Sequence, residues 1–274
     1  MTLRIVAESA APAFVVPFRS ATHGQGSQPM QLWVQRLFAA GLPDELDALF
    51  VTSDLQGWSF GDTGSRLLGL AVADELRQHC EGSGIDPARV GVLLAGDLFA
   101  REDLSRRGGV GDVRGVWRAF AAQHGFVAGV AGNHDAFGDG SDDVVAFAAE
   151  PGIHLLDYGT PGLVPGAQSH GLRIAGVSGI VGNPDKPWRK SRADLATGVE
   201  RALALQPDVL LLHQNPGLPD VRRPDHTWLT ELLTAQAQAL VVFGHSYCHR
   251  PVLELGGCQL LASEGRAFWI ERGD

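Results

Sequence analysis

Six short runs in this chain are almost wholly apolar: residues 49–53, 90–95, 126–131, 172–177, 209–212 and 240–243. A strand with one wet face alternates apolar and polar residues. A run without alternation has to be covered on both faces, as parallel strands are when helices pack over them. Between several runs the apolar residues take helical spacing, over 65–78, 113–123, 192–205 and 227–236. This alternation predicts an α/β architecture. Beyond residue 250 the pattern changes to three consecutive strands, 251–255, 259–262 and 267–271, separated by Gly256-Gly257 and Glu264-Gly265-Arg266.

The residues just after each run carry the chemistry. Val51-Thr52-Ser53 leads into Asp54-Leu55-Gln56, and Leu93-Leu94-Ala95 into Gly96-Asp97. Val130-Ala131 leads into Gly132-Asn133-His134-Asp135, Leu212 into His213, and Phe243 into Gly244-His245. Five strands thus deliver a carboxylate, an amide or an imidazole at their carboxyl ends, the edge where open α/β sheets bind ligands. These side chains are the donor set for hard and borderline divalent cations. The glycines before Asp97, Asn133 and His245 permit turns that a Cβ would obstruct. Singly, such residues are ordinary helix caps or core histidines; in this order after buried strands they predict a metal centre.

The order Asp54-x-Gln56, Gly96-Asp97, Gly132-Asn133-His134-Asp135, His213 and Gly244-His245 resembles the five-block pattern of calcineurin-like metallophosphoesterases, from about residue 49 to 251. The resemblance implies a four-layer αββα sandwich of two packed mixed β-sheets flanked by helices, with two divalent ions (Mn2+, Fe2+ or Zn2+) at the strand ends. Carried over, Asp54 binds the first ion, Asp97 bridges both, and Asn133, His213 and His245 bind the second. A hydroxide held between ions about 3.5–4 Å apart attacks phosphorus, and His134 serves as general acid or hydrogen-bonds a phosphoryl oxygen.

Two departures fall on the first ion's site. Gln56 stands where the family carries histidine, and an amide oxygen is a weaker donor than imidazole for borderline metals. The last block continues Ser246-Tyr247 rather than with histidine at 247, so either Tyr247 takes the ligand's place or a short insertion lets His249 serve. The first site is therefore expected to be weak or empty. Arg101, Asn183 and Arg189 are substrate-binding candidates: Arg101 sits where some relatives carry a phosphate-binding arginine, and Arg189 belongs to a basic cluster with Trp188, Lys190 and Arg192.

The expected activity is hydrolysis of a small phosphate mono- or diester, such as a nucleotide. The alternative is a metal-bound phosphate or nucleotide sensor without turnover. A formal charge of −9 argues against non-specific grip on nucleic acid or anionic membrane, both of which need a basic surface. No run of about 18 uncharged apolar residues occurs, so no spanning helix is expected. Cys80, Cys248 and Cys258 are too few for a disulfide framework; free thiols in a cytoplasmic protein are expected, with a Cys248–Cys258 bridge the one alternative. The chain reads as a single domain over 1–274. Residues 1–48 form an N-terminal extension, with strands at 3–7 and 13–18 forming a hairpin, an irregular polar stretch at 21–29, and a helix over 32–42.

Overall fold

The apolar runs become strands, and the segments between them decide how those strands pair. A computed structural model of the chain describes residues 3–22, 26–61, 64–157, 159–160, 162–222 and 224–273. The first elements are β1 (Arg4–Ala21), β2 (Ser27–Ala40), β3 (Ala48–Thr52), β4 (Trp58–Gly61), β5 (Gly64–Leu67), α1 (Leu68–Ser83) and β6 (Val90–Leu94). Then come β7 (Gly111–Asp112), α2 (Arg114–Ala121), β8 (Phe126–Gly129), β9 (Asp135–Ala136), α3 (Ser141–Ala148) and β10 (Ile153–Leu155). They are followed by β11 (Gly166–Ser169), β12 (Leu172–Val177), β13 (Ile180–Val181), β14 (Arg189–Lys190) and α4 (Arg192–Ala204). The last are β15 (Val209–Leu212), α5 (Thr227–Gln236), β16 (Leu240–Phe243), β17 (Val252–Leu255), β18 (Cys258–Ala262) and β19 (Ala267–Arg272).

Among the described residues, nine strands form one mixed sheet in the order β10-β8-β6-β3-β19-β2-β1-β4-β5. Six form a second, in the order β11-β12-β15-β16-β18-β17. Each has a parallel centre: β3, β6, β8 and β10 in the first, β12, β15, β16 and β18 in the second. Every residue of β3, β6, β8, β15 and β16 is buried, which is why these segments carry no polar alternation.

Three apolar clusters hold the elements together. One draws on both sheets, joining Leu49, Val51, Leu93 and Ile270 to Ile174, Leu211, Val242 and Leu261. The second packs Phe50, Val92 and Trp269 of the larger sheet against Val72 and Leu76 of α1, Trp117 and Phe120 of α2, and Phe147 of α3. In the third, Leu210, Val241 and Leu260 meet Leu195 and Val199 of α4 and Leu229 and Leu233 of α5. No helix among the described residues is long and apolar enough to cross a membrane. All three cysteines are free and buried, so Cys248 and Cys258 are not bridged.

The N-terminal segment departs from its sequence reading. Residues 32–42 do not form a helix; β2 runs through to Ala40. Its apolar residues fit either period, but Leu32, Val34, Leu37 and Ala39 are buried while Trp33 stands 57% exposed. Pairing on both edges, with β1 and with β19, overrides helical propensity here. The two short strands expected before it are one long strand, β1, whose register against β2 shifts between Ile5 and Ala7 and again around Pro12. Proline has no N–H for a ladder, and such shifts are where a strand tolerates it. The stretch 21–29 is not irregular throughout: Ala21 ends β1 and Ser27–Pro29 begin β2, paired with Arg19–Ala21, while His23, Gly24 and Gln25 lie outside the described residues.

β19 lies between β2, to which it is parallel, and β3, to which it is antiparallel. Phe268 and Trp269 point to opposite faces and are both fully buried. Replacing either with alanine should cost about 3–5 kcal/mol of stability, read from urea unfolding midpoints.

Candidate metal centre

The five polar residues that follow β3, β6, β8, β15 and β16 sit where the two parallel centres meet. Three of them hold the left-handed backbone region: Asp54 at φ 54°, Asp97 at φ 58° and His245 at φ 66°. Non-glycine residues adopt it at a cost of order 1–3 kcal/mol each, and such strain gathers at functional sites. Gly96 also holds a positive φ of 89°, and all three adjoining glycines are required by crowding. A Cβ on Gly96 would lie 2.5 Å from the Gly132 nitrogen and 2.7 Å from His213 Nδ1. One on Gly132 would collide with Asp97 Oδ1, and one on Gly244 would come within 2.7 Å of Asp54 Oδ2.

Asp135 fixes this crowding. Its fully buried carboxylate accepts the backbone N–H groups of Asp97 and Gly132 on Oδ2 and of Leu98 on Oδ1, each at 2.8 Å. The loop after β8 is thereby locked to the loop after β6. Asp97 Oδ1 accepts the His134 N–H at 2.9 Å. That leaves Oδ2 toward His213 Nε2, 3.4 Å away. From the other sheet, His213 Nδ1 lies 2.7 Å from the Ala95 carbonyl. A carbonyl only accepts, so Nδ1 carries a proton and Nε2 is the atom turned to the site; a bound cation would take the place of any proton there, the arrangement common for metal-binding imidazoles.

Donor atoms of Asp97, His213 and His245 all lie within 4.8 Å of one another. His213 Nε2 and Asn133 Oδ1 are buried with no hydrogen-bond partner among the described residues. Buried polar atoms are nearly always satisfied, so an orphaned imidazole nitrogen within this group, and an orphaned amide oxygen on the residue before His134, whose N–H bonds Asp97, fit a divalent cation. The electrostatics agree. Burial, the largest effect, together with the charges of Asp97 and Glu264, pushes the Asp54 carboxyl up to about 7 against the pull of His213. Burial also acts on Asp97 and His213, yet their mutual attraction wins, lowering the carboxyl and raising the imidazole. The site is short of positive charge.

Gln56 is differently engaged. Its Nε2 donates to Asp97 Oδ2 at 3.1 Å, and its Oε1 accepts from Arg107 Nε at 3.1 Å. Arg107 is also ion-paired through Nη2 with Glu264, whose side chain is 10% exposed. Asp54 Oδ2 accepts from the Ser53 hydroxyl at 2.8 Å and the His245 N–H at 3.1 Å. His134 keeps its ring at the rim, Nε2 4.0 Å from Asp97 Oδ2, with Nδ1 lacking a partner among the described residues.

The structure does not bring His249 into this group. Its ring is exposed and packs on Tyr247 with centroids 5.5 Å apart. Tyr247, not His249, lines a cleft of about 300 Å³ together with Asp54, Gln56, Arg107, Glu264 and Arg266. Arg101 is exposed and paired with Asp103 at 2.8 Å, on a different cleft. Asn183 is an exposed turn residue whose Oδ1 accepts from the Asp185 N–H. Within the basic cluster, Lys190 pairs with buried Asp157 at 3.1 Å and Arg192 lies over the Trp228 ring. Arg189 is close enough for its charge to depress the pKa of His134. Sequence reasoning missed Arg107, Glu264 and the anchoring role of Asp135. Of these, only Asp135 carried a signal, as the last residue of the Gly-Asn-His-Asp block.

No protein-family model matches the sequence, and neither does any curated protein. Among solved structures, the chain is similar to TT1561 of Thermus thermophilus, with 14% identity and a TM-score of 0.52, over 80% of this chain and 89% of that one. That likeness is one of fold. A second match, the protein of unknown function AQ665 of Aquifex aeolicus, has 14% identity over 61% of this chain and 80% of that one. Its TM-score of 0.28 is too low to indicate a shared fold.

Asp135→Asn should turn an amide N–H2 toward backbone donors and leave at least one of them unpaired. A loss of about 1–3 kcal/mol in unfolding free energy is expected, with weaker divalent-cation binding by calorimetry because Asp97 is no longer held.

Proposed function

We propose that this chain is a metal-dependent hydrolase of phosphate mono- or diesters, of the calcineurin-like metallophosphoesterase type. Its layers would then be the four of an αββα sandwich: α1–α3, the nine-stranded sheet, the six-stranded sheet, and α4–α5. The convergence of Asp97, His213 and His245, together with the buried, partnerless oxygen of Asn133 among the described residues, carries this reading. A divalent ion bound by these four residues would supply Lewis-acid charge to a phosphoryl oxygen and lower the pKa of a water. Mn2+, Fe2+ and Zn2+ all suit the mixed oxygen and nitrogen donors.

The remaining work falls to the chain's own groups. Burial, the largest influence, with His213, Arg189 and Arg106 adding, holds the His134 imidazole below its ordinary value despite the nearby Asp97. Near neutral pH the ring is uncharged and keeps one N–H, with Nε2 4.0 Å from Asp97 Oδ2. An arriving phosphate ester brings negative charge that favours the imidazolium, so the same ring protonates the departing alkoxide. Gly108 lies against this ring, where an added Cβ would come within 3.0 Å of Cε1, so the loop it belongs to restricts how the ring sits. The cleft beside Asp54 is small and polar around Gln56, Arg107 and Glu264, with Phe18, Met30 and Leu32 of the hairpin on its other wall. That pairing suits a small ester with an apolar or aromatic group, such as a nucleotide.

Purified protein with added Mn2+ should hydrolyse bis-p-nitrophenyl phosphate, lose the activity to a chelator and regain it on remetallation. Turnover that survives exhaustive chelation would overturn the reading. His134→Ala should retain its metal content and lose about 10²–10³-fold in kcat on an ester with a poor leaving group. An unchanged rate on such an ester removes His134 from the reaction.

A further inference from the structure

Beside the group formed by Asp97, Asn133, His213 and His245 lies a second set of acidic and amide side chains already neutralised from within. Asp54, Gln56 and Glu264 meet there, and Arg107 reaches in from the loop between β6 and β7. The orientation of Gln56 is set by its neighbours. Arginine has only donors and an ionised carboxylate only acceptors. The amide must therefore present Oε1 to Arg107 Nε and Nε2 to Asp97 Oδ2, both at 3.1 Å. An N–H2 group aimed at the Asp97 carboxylate cannot serve as a metal ligand, and the amide oxygen that could have done so accepts from Arg107.

Glu264 strengthens the case. It follows β18 and is joined to Ser53 by an isolated parallel bridge, which places it next to Asp54. Its carboxylate is only 10% exposed, and the guanidinium of Arg107 is its partner. A mostly buried carboxylate beside two others requires a cation. The chain supplies one as a side chain.

We propose that Arg107 takes the place of the first metal ion, so that the centre binds a single divalent cation, at Asp97, Asn133, His213 and His245. The proposal rests on the metal-centre reading above and concerns how the charge of that centre is made up. A fixed guanidinium contributes one unit of charge where an ion would contribute two, and it does not leave on dialysis or chelation. Arg107 is thus a charge-balancing and positioning residue: it orients Gln56, which in turn orients Asp97, and it lines the cleft through which an ester would reach the ion.

The test is metal stoichiometry, read by calorimetric titration with Mn2+ and by elemental analysis of dialysed protein. The wild-type chain should bind one ion. Arg107→Gln combined with Gln56→His removes the internal cation and restores an imidazole donor; this variant should bind two. Arg107→Lys keeps the charge and should still bind one. The Arg107 side chain is 47% exposed, so these replacements are compatible with folding, which thermal unfolding of each variant checks. Two ions in the wild type would overturn the proposal. So would none, one ion in the double variant, or two in Arg107→Lys. One ion bound without turnover of any phosphate ester would sink the hydrolase reading and leave this one standing.

Discussion

Three backbone N–H groups converge on the carboxylate of Asp135, and the geometry of the centre follows from them. Two loops belonging to different strands are pressed so close that Gly96 and Gly132 have no room for a Cβ. Loops that close normally separate to let water reach their amides. Here a buried carboxylate takes the place of that water at 2.8 Å on all three. Charge-assisted bonds of this kind are about twice as strong as neutral ones, enough to hold Asp97 in a left-handed conformation it would otherwise leave. Once Asp97 is fixed, the imidazole of His213, arriving from the other sheet and held by the Ala95 carbonyl, has its partner at a set distance.

The centre therefore draws on stability that the rest of the molecule provides. Three residues with strained backbone, polar atoms buried without a partner among the described residues and a cluster of buried carboxylates all oppose folding. Against them stand a core shared by both sheets and two further clusters under the helices. Strands buried on both faces are a suitable foundation, because a shift of register there would move every side chain at the carboxyl end.

Sequence patterns reveal the parallel centres and the strand ends that bring polar side chains together because both have strong local signatures. Continuous apolar runs mark doubly buried strands, and Gly-Asp, Gly-Asn-His-Asp and Gly-His mark tight turns that deliver donors. Helices at 192–205 and 227–236 are legible for the same reason, their boundaries matching α4 and α5 to within a residue. The features that escape such reading depend on partners far away in the chain. Residues 32–42 have helical spacing in isolation and become a strand because β1 and β19 claim both edges. Arg107 lies in a Ser-Arg-Arg-Gly-Gly loop with no period, and Glu264 in a turn; nothing local shows that they pair across 157 positions. The basic cluster at 188–192 looks like a single surface in the sequence, yet its charges are dispersed to Asp157, to Trp228 and toward His134.

The placement of β19 bears on how this molecule comes to exist at all. The larger sheet is one body only because residues 267–272 bridge the hairpin of residues 4–40 to β3. On a ribosome the hairpin emerges more than two hundred residues before the strand that admits it to the sheet. Until then β2 and β3 each present an unpaired edge, the feature through which nascent chains find wrong partners. Register slips around Pro12 and the twist of a long two-stranded ribbon make the waiting hairpin a poor template for such pairing. Closure of the sheet is thus a long-range event that waits for residues 267–272, and the wall of the cleft built from Phe18, Met30 and Leu32 joins the rest of the sheet only when it occurs.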